Sequence, residues 1–584
     1  MFTQVRALVL PAFLMATATL YFASIPIYLQ GGDSAEFVSA AQRILVAHPP
    51  GYPLWIWMQS LWLKVFPYST EFWRASLLTC IVALNGLALL LWPLRRSGSK
   101  VAMVASLVVL SPVYFETSIL PDVFALHGLF IILLASSVLY LEGTQRLRGT
   151  AFIAMLSLAN HHTMIFMLPV LVVEFWLATS TQRKTLIHFA ALGATLCALL
   201  YLSILFMNPS SAYSWGQIDG ISSLLRHVLR IDYGTFQLQA QGQGVGFQPF
   251  TDFAVRTLLP LAGLILFCAY LGFRHRLFVQ ARPRAVLVSL VLSCLFFLIA
   301  NIQPQGIGAE VLLRFHLMPL LLIFVLCGYV LKMSVLNQGQ KVLGLLVTIA
   351  PALFMLPDIS GYLRLRSDSV IEDYALNLLR GAEARKPALI IVDTDSAFFA
   401  VRNLLATQNS TEVTVATKSM FFHSWFQAKT KSLIPTLTIL NADRIANERR
   451  MNLKEDLISP NVGNLTVLVT SGFQDGKDYH TQFLPLGRNL KAGNGVTTDY
   501  GSIDSFRRRT FYSEPPKGPQ AFTRGLLYSG YSHIHLIAKN WEGALKAVPY
   551  CYPALNALCM QNGTDLRCTE EPRAQIKNQS APFF

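Results

Sequence analysis

Two carboxylates three residues apart, a pair of glycines before them and a histidine–proline turn after them are the residues in this chain best suited to chemistry. They read Gly31-Gly-Asp-Ser-Ala-Glu36, then Ala47-His-Pro-Pro-Gly-Tyr-Pro53. If the segment is helical, Asp33 and Glu36 share one face. Asp33 is placed to cap a helix beginning at Ser34, with the glycines freeing the backbone before it. A cap alone needs neither the second acid nor the rigid turn at His48 and Tyr52, so the set points to more than capping. Further acids stand at Glu116 and Asp122, and cations or donors at His162, Arg226, Arg230, Arg314 and His316. Arginine matches phosphate through its planar fork. The bland alternatives are snorkelling for Arg226 and Arg230 and simple packing for Arg314 and His316, although polar groups near the end of an apolar run are costly unless used.

The elements that must position these residues are membrane helices. Hydrophobic residues make up 53% of the 584 and charged residues 14%, with a mean hydropathy of +0.45; a soluble chain carries about 25% charged residues. Apolar runs cover 5–28, 72–94, 101–113, 119–141, 186–207, 253–273, 285–300, 312–331 and 342–356, most approaching the roughly 20 residues that span a hydrocarbon core. The first run is read as a retained helix, since no small-residue cleavage site follows it. The net charge of +15 does not point to nucleic acid, because Lys and Arg collect in short loops: Arg95, Arg96 and Lys100; Arg146 and Arg148; Arg183 and Lys184; Arg274 to Arg284; Lys332 and Lys341. The positive-inside rule makes these loops cytoplasmic. Arg146 and Lys184 can share that side only if 150–180 crosses twice, with its break, Asn160-His161-His162-Thr163, at the outer face. Irregular backbone there must be protected by protein or line a wet cavity; the competing reading is one long tilted helix with buried histidines. About 11 crossings result, counting short broken helices.

Beyond residue 363 hydrophobicity falls and short buried-strand runs appear at 388–392, 412–416 and 465–470, separated by amphipathic stretches, as in a small α/β layer. The stretch 525–547 looks like a helix–turn–helix pair of the tetratricopeptide kind. The expected organisation is a membrane domain over 1–357 with outer loops 30–73, 114–122, 208–252 and 301–310, an exterior soluble α/β domain over 358–518, and a helical segment over 519–584. Cys551, Cys559 and Cys568 would lie in an oxidising compartment, where one disulfide leaves one thiol over. Sequons stand at Asn409, Asn464, Asn562 and Asn578.

The first loop resembles that of a branch of the GT-C glycosyltransferases, the eukaryotic protein O-mannosyltransferases acting on plexin-type receptor domains and their bacterial relatives. The resemblance continues, in order, at Asp122-Val-Phe-Ala-Leu-His127, Leu158-Ala-Asn-His-His-Thr163, Ser214-Trp-Gly-Gln217, Arg226 through Phe236, and Arg314-Phe315, over roughly residues 1–395. Asp122 departs from the glutamate expected in that family. The resemblance implies a GT-C-like enzyme in the lipid bilayer that moves a monosaccharide, mannose in the nearest family, from a polyprenyl-phosphate carrier to an acceptor hydroxyl of a protein or glycan, with inversion, on the periplasmic or luminal side. Such a transfer needs one carboxylate as base, while the phosphate leaves ionised and needs cations rather than an acid. Asp33 takes the role of base with Glu36 second; His48 and Tyr52 shape the pocket; Arg230, with Asp232 and Tyr233, lies near the phosphate. No cofactor is required, although His161 and His162 with the acids could hold a divalent metal. A transporter or flippase would predict inverted repeats, which the sequence does not display, and a non-catalytic scaffold would not need acids and arginines gathered in separate outer segments. A bacterial inner membrane and the endoplasmic reticulum both fit.

Overall fold

The computed structural model describes residues 2–231, 246–299 and 302–469, except 385, 393, 409, 462 and 463, with a few positions between 516 and 527. Its helices are α1 (Phe2–Ser24), α2 (Asp33–Arg43), α3 (Pro53–Val65), α4 (Glu71–Leu91), α5 (Gly98–Leu110), α6 (Pro112–Ile119), α7 (Phe124–Tyr140), α8 (Gly143–Leu156), α9 (Leu168–Leu177), α10 (Ser180–Leu202), α11 (Ile221–Val228), α12 (Gln248–Phe253), α13 (Leu259–Arg274), α14 (Ala281–Ile299), α15 (Gly306–Phe315), α16 (Leu317–Met333), α17 (Gln338–Leu365), α18 (Val370–Glu383), α19 (Asp395–Gln408), α20 (Ser424–Leu433) and α21 (Ala442–Glu448). They divide into two compact units that ignore chain order. One comprises Met1–Pro26, Ala47–Met207 and Ile218–Arg366; the other comprises Ile27–Val46, Asn208–Gln217 and Ser367–Phe584.

The first unit is a helical bundle with a lipid-like surface. Among the described residues five helices are long and apolar enough to cross a membrane, six if the bent pair α5–α6 is one span, and three shorter apolar helices accompany them. Ile187, Leu192 and Leu199 lie half exposed on α10, a face that water would penalise and hydrocarbon would not. Proline writes the main break. Pro112 supplies no N–H and drives Ser111 out of helical geometry (ψ 123°), so α5 and α6 meet at 67°. The stretch 114–122, expected as a loop, is therefore helical through Ile119, and Glu116 is buried on it. Likewise 306–310, expected as loop, is the start of α15.

The reading of 150–180 as an interrupted hairpin matches the structure, and one long helix does not. After α8 come two tight 3₁₀ turns, Ser157–Ala159 and His162–Met167, before α9. The hairpin closes on Glu174, buried near the end of α9, whose carboxylate accepts from Arg146 Nε of α8 at 2.9 Å and from Arg282 Nε of α14 at 2.5 Å. At the same end Lys100 Nζ donates to Ser334 O at 2.8 Å and Tyr329 donates to Gln280 Oε1 at 3.0 Å. Each of these contacts ties a residue of a basic loop, or of a helix beginning or ending beside one, to a second helix end. Glu174 is buried, and removing it would leave two partly buried guanidiniums without their shared carboxylate.

The second unit has a three-stranded parallel sheet, β1 (Ala388–Ile391), β2 (Val413–Ala416) and β3 (Thr466–Val469), in the order β2-β1-β3. Its strands are almost wholly buried and nearly continuous in apolar or β-branched residues, as expected when helices cover both faces of a parallel sheet. The tetratricopeptide-like stretch apart from Gly525 and Leu527, the three late cysteines and the sequons other than Asn464 lie outside the described residues.

Candidate functional site

The acidic turn belongs to the second unit. Helix α2 begins at Asp33, one residue earlier than expected, and its cap position is Gly32 at φ 66°, with no side-chain cap bond. The left-handed backbone of Gly32 strains any residue with a Cβ, so this glycine steers the chain into the helix and Asp33 is not the cap. Gly31 serves otherwise: a Cβ there would lie 2.6 Å from Cβ of Ser396 on α19. Asp33 and Glu36 both stand in the first turn, where the helix dipole favours negative charge by about 0.3–1 kcal/mol each. Asp33 is half-buried and Glu36 is buried. Small and apolar residues, Ala35, Phe37, Val38, Ala40 and Ala41, bury the other face of α2, which packs on α19; Phe37 and Val38 together supply about 3–6 kcal/mol.

A second loop segment joins the same unit. Lys429 of α20 donates to Pro209 O, Ser211 O and Ser214 O at 2.9, 2.9 and 2.8 Å, and Ser214 and Trp215 bind the backbone of Val46. Burial, with repulsion from Arg402 added, pulls the Lys429 ammonium down to about 7, while the three accepting carbonyls favour its charged form.

In the first unit the other motifs converge at the end of the bundle opposite the basic loops. The Ala47–Pro53 turn is gripped from α11 and just beyond: His227 Nε2 lies 3.1 Å from Ala47 O, and Arg230 donates to Pro49 O at 2.8 Å. Gly51 sits at φ 97°, where a Cβ would meet Ile204 at 2.8 Å. Tyr52, at φ 46° before α3, lies 3.3 Å from His48 Nε2 through its hydroxyl, and its ring faces that of His161. His161 Nδ1 accepts from the Thr163 amide and lies 2.7 Å from Thr163 Oγ1, so this nitrogen carries no proton and the threonine hydroxyl donates to it. Thr163 Oγ1 then accepts from His127 Nε2 at 3.1 Å, which fixes the His127 tautomer and leaves its Nδ1 a bare lone pair. That Nδ1 is buried with no hydrogen-bond partner among the described residues. By the same logic, Tyr201 donates to Leu158 O, so His162 Nε2 donates to Tyr201 at 2.9 Å.

His127 and Thr163 line a narrow aromatic cleft with Phe124, Phe296, Phe315 and Arg314. Arg314 donates to buried Asp122 at 3.2 Å, and Asn160 donates to Val123 O beside it. The expected residues thus fall into separate groups. His48 and Tyr52, with His161, His127 and Thr163, form one array; Asp122 and Arg314 flank the cleft; Arg230 sits under the turn. His316 is elsewhere, 3.0 Å from Thr257 and facing Asp252 at 3.8 Å. Arg226 is exposed on α11, and Asp232 and Tyr233 lie outside the described residues. His127, Thr163 and His227 were not among the residues expected to act, and His161 was expected only as a metal ligand; all four stand inside the collinear motifs, and that was the available signal.

These helices, with a polar array buried at one end, define a multi-pass membrane protein. Residues 33–185 match a family described as "Protein O-mannosyl-transferase TMEM260 N-terminal domain". The chain is 30% identical over 240 residues to the protein O-mannosyl-transferase TMEM260 of Mus musculus, covering 38% of this chain and 34% of that protein. It is 26% identical over 274 residues to the Dictyostelium discoideum protein of the same name, covering 42% and 32%. The matched region spans about a third of the length of these relatives. Two solved structures of ArnT from Cupriavidus metallidurans, apo and bound to undecaprenyl phosphate, align with TM-scores of 0.47 and 0.46 at 12% identity, covering 67% and 69% of this chain and 84% and 88% of those chains. The similarity to the O-mannosyl-transferase family thus lies in residues 33–185, the part of the chain that holds the first-loop motifs.

Proposed function

We propose that this chain is a membrane glycosyltransferase that moves a monosaccharide, mannose by its family likeness, from a polyprenyl-phosphate carrier to a protein serine or threonine hydroxyl, with inversion. One observation carries the reading: the segment matching the O-mannosyl-transferase domain holds both the acidic turn and the array of His48, Tyr52, His127 and His161. Asp33 takes the proton from the acceptor hydroxyl and Glu36 supports it. Arg230 and Arg314 meet the phosphate, which leaves already ionised and needs no acid. The bare Nδ1 of His127, beside Arg314 in the narrow aromatic cleft, suits a hydroxyl donor of the sugar, since an unmet buried acceptor costs about 1–3 kcal/mol. The test is transfer from a radiolabelled polyprenyl-phosphate monosaccharide by the purified protein in detergent. Absence of transfer to any serine- or threonine-bearing acceptor, with donor supplied in excess, defeats the proposal.

The accompanying topology has about 11 crossings, with the array and the 358–584 region on the periplasmic or luminal side. It is supported by the clustering of the basic loops through Glu174 and Lys100 at one end of the bundle. Single cysteines at Thr163 and Thr185 test it: an impermeant thiol reagent added outside is expected to label position 163 and not 185. Labelling of 185 alone reverses the orientation.

A further inference from the structure

The acidic turn is held by residues near the far end of the chain. Gln520 is buried, and its amide meets the Gly31 backbone with both polar atoms: Gly31 N donates to Oε1 at 3.2 Å, and Nε2 donates to Gly31 O at 3.0 Å. A side-chain amide and a peptide group each offer one donor and one acceptor, so this one residue satisfies both Gly31 groups where no helix bond reaches them. Gln520 makes the contact from φ 51°, a left-handed conformation that strains a non-glycine residue and persists only where the surroundings enforce it. Neighbouring backbone groups are met in the same manner. Glu372 of α18 accepts from Leu29 N at 2.7 Å, Gln30 donates to Asp368 O at 2.9 Å, and Asn403 of α19 donates to Ala35 O at 2.9 Å. Asp368 is itself paired with Arg524, and both are buried.

We infer that Gln520 and Asn403 are positioning residues for Asp33 and Glu36, and that the late part of the chain is the mount of the acidic turn rather than an accessory docking domain. The inference rests on the reading of Asp33 as base. Its physical content is rigidity: the gripped peptide of Gly31 lies two residues before Asp33, the gripped carbonyl of Ala35 one residue before Glu36, and no side chain fits between Gly31 and Ser396. A catalytic group must be held to about 0.5 Å, and a displacement near 1 Å costs about a hundredfold.

The experiment compares purified full-length wild type, Gln520→Ala, Asn403→Ala and Asp33→Asn, by amide hydrogen exchange over 27–36 and by transfer kinetics with the polyprenyl-phosphate donor. Gln520→Ala is expected to speed exchange at Gly31 by about tenfold or more. It is also expected to lower kcat by about tenfold or more with the donor KM held within about twofold, because the base moves while the carrier site does not. Asn403→Ala should share that signature, whereas a merely structural role would lower melting temperature and active fraction without slowing the folded enzyme. Unchanged exchange in Gln520→Ala overturns the clamp. Faster exchange with wild-type kcat, in an enzyme that Asp33→Asn inactivates, overturns the positioning role alone. Wild-type transfer by Asp33→Asn overturns instead the reading beneath it.

Discussion

Asp33→Asn is expected to lower sugar transfer by about 10²–10⁴, the contribution of a positioned general base, with normal expression and melting. A neutral serine or threonine hydroxyl is a poor nucleophile, and Asn matches Asp in shape but cannot take a proton. The structure sharpens the test by removing its main competitor. Had Asp33 capped α2, a loss on mutation could have been a folding defect; the cap is Gly32, with no side-chain bond. Losing one negative charge from the first turn costs about 0.3–1 kcal/mol, too little to unfold the unit. Glu36→Gln run in parallel separates the acids. Glu36 is the more buried of the two, so its effect should appear partly as stability. If Asp33→Asn works at the wild-type rate while Glu36→Gln is dead, the base is Glu36; if both stay active, base catalysis from this turn is excluded.

Arg230→Ala is expected to raise the donor KM by about 10- to 100-fold, because a charge-assisted bond is worth about 1.5–3 kcal/mol and each 1.4 kcal/mol is tenfold. Lys should rescue only in part, being a point charge on a flexible stem. The same guanidinium also holds Pro49 O, and His227 lies against Ala47 O in the same turn. His227→Ala therefore serves as the control: it loosens the turn without removing a cation from the phosphate. Should the two variants behave alike in kcat and donor KM, Arg230 only braces the turn. A donor KM unmoved in Arg230→Ala removes it from the phosphate site altogether.

The parts of the fold that were legible in the sequence are those written by local chemistry. Val, Ile and Leu runs within 388–392 and 465–470 announced buried strands of a small α/β layer, and the Asn160–Thr163 interruption announced a broken hairpin because polar backbone has few allowed places in hydrocarbon. The opposite error at 114–122 came from reading polar Glu116 as solvent-facing, when burial on α6 is set by tertiary packing. The glycine pair was visible, but its division of labour was not: the contact of Gly31 with Ser396 depends on a helix more than three hundred residues away. His127 and Thr163 escaped selection because their importance lies in a tautomer chain that only the assembled rings define. Nothing in the local pattern of 27–46 says that it leaves the helical bundle's unit to join residues 367–584.

The grip of Gln520 on Gly31 joins groups 489 residues apart in sequence. At about 5–20 residues per second, a ribosome needs about 25–100 seconds between placing one and the other. For that interval the acidic turn has left the ribosome before Gln520 is there to hold Gly31. On the reading of Asp33 as base, chains cleaved before residue 520 should keep the whole matched segment 33–185 and still transfer sugar more slowly than the intact chain.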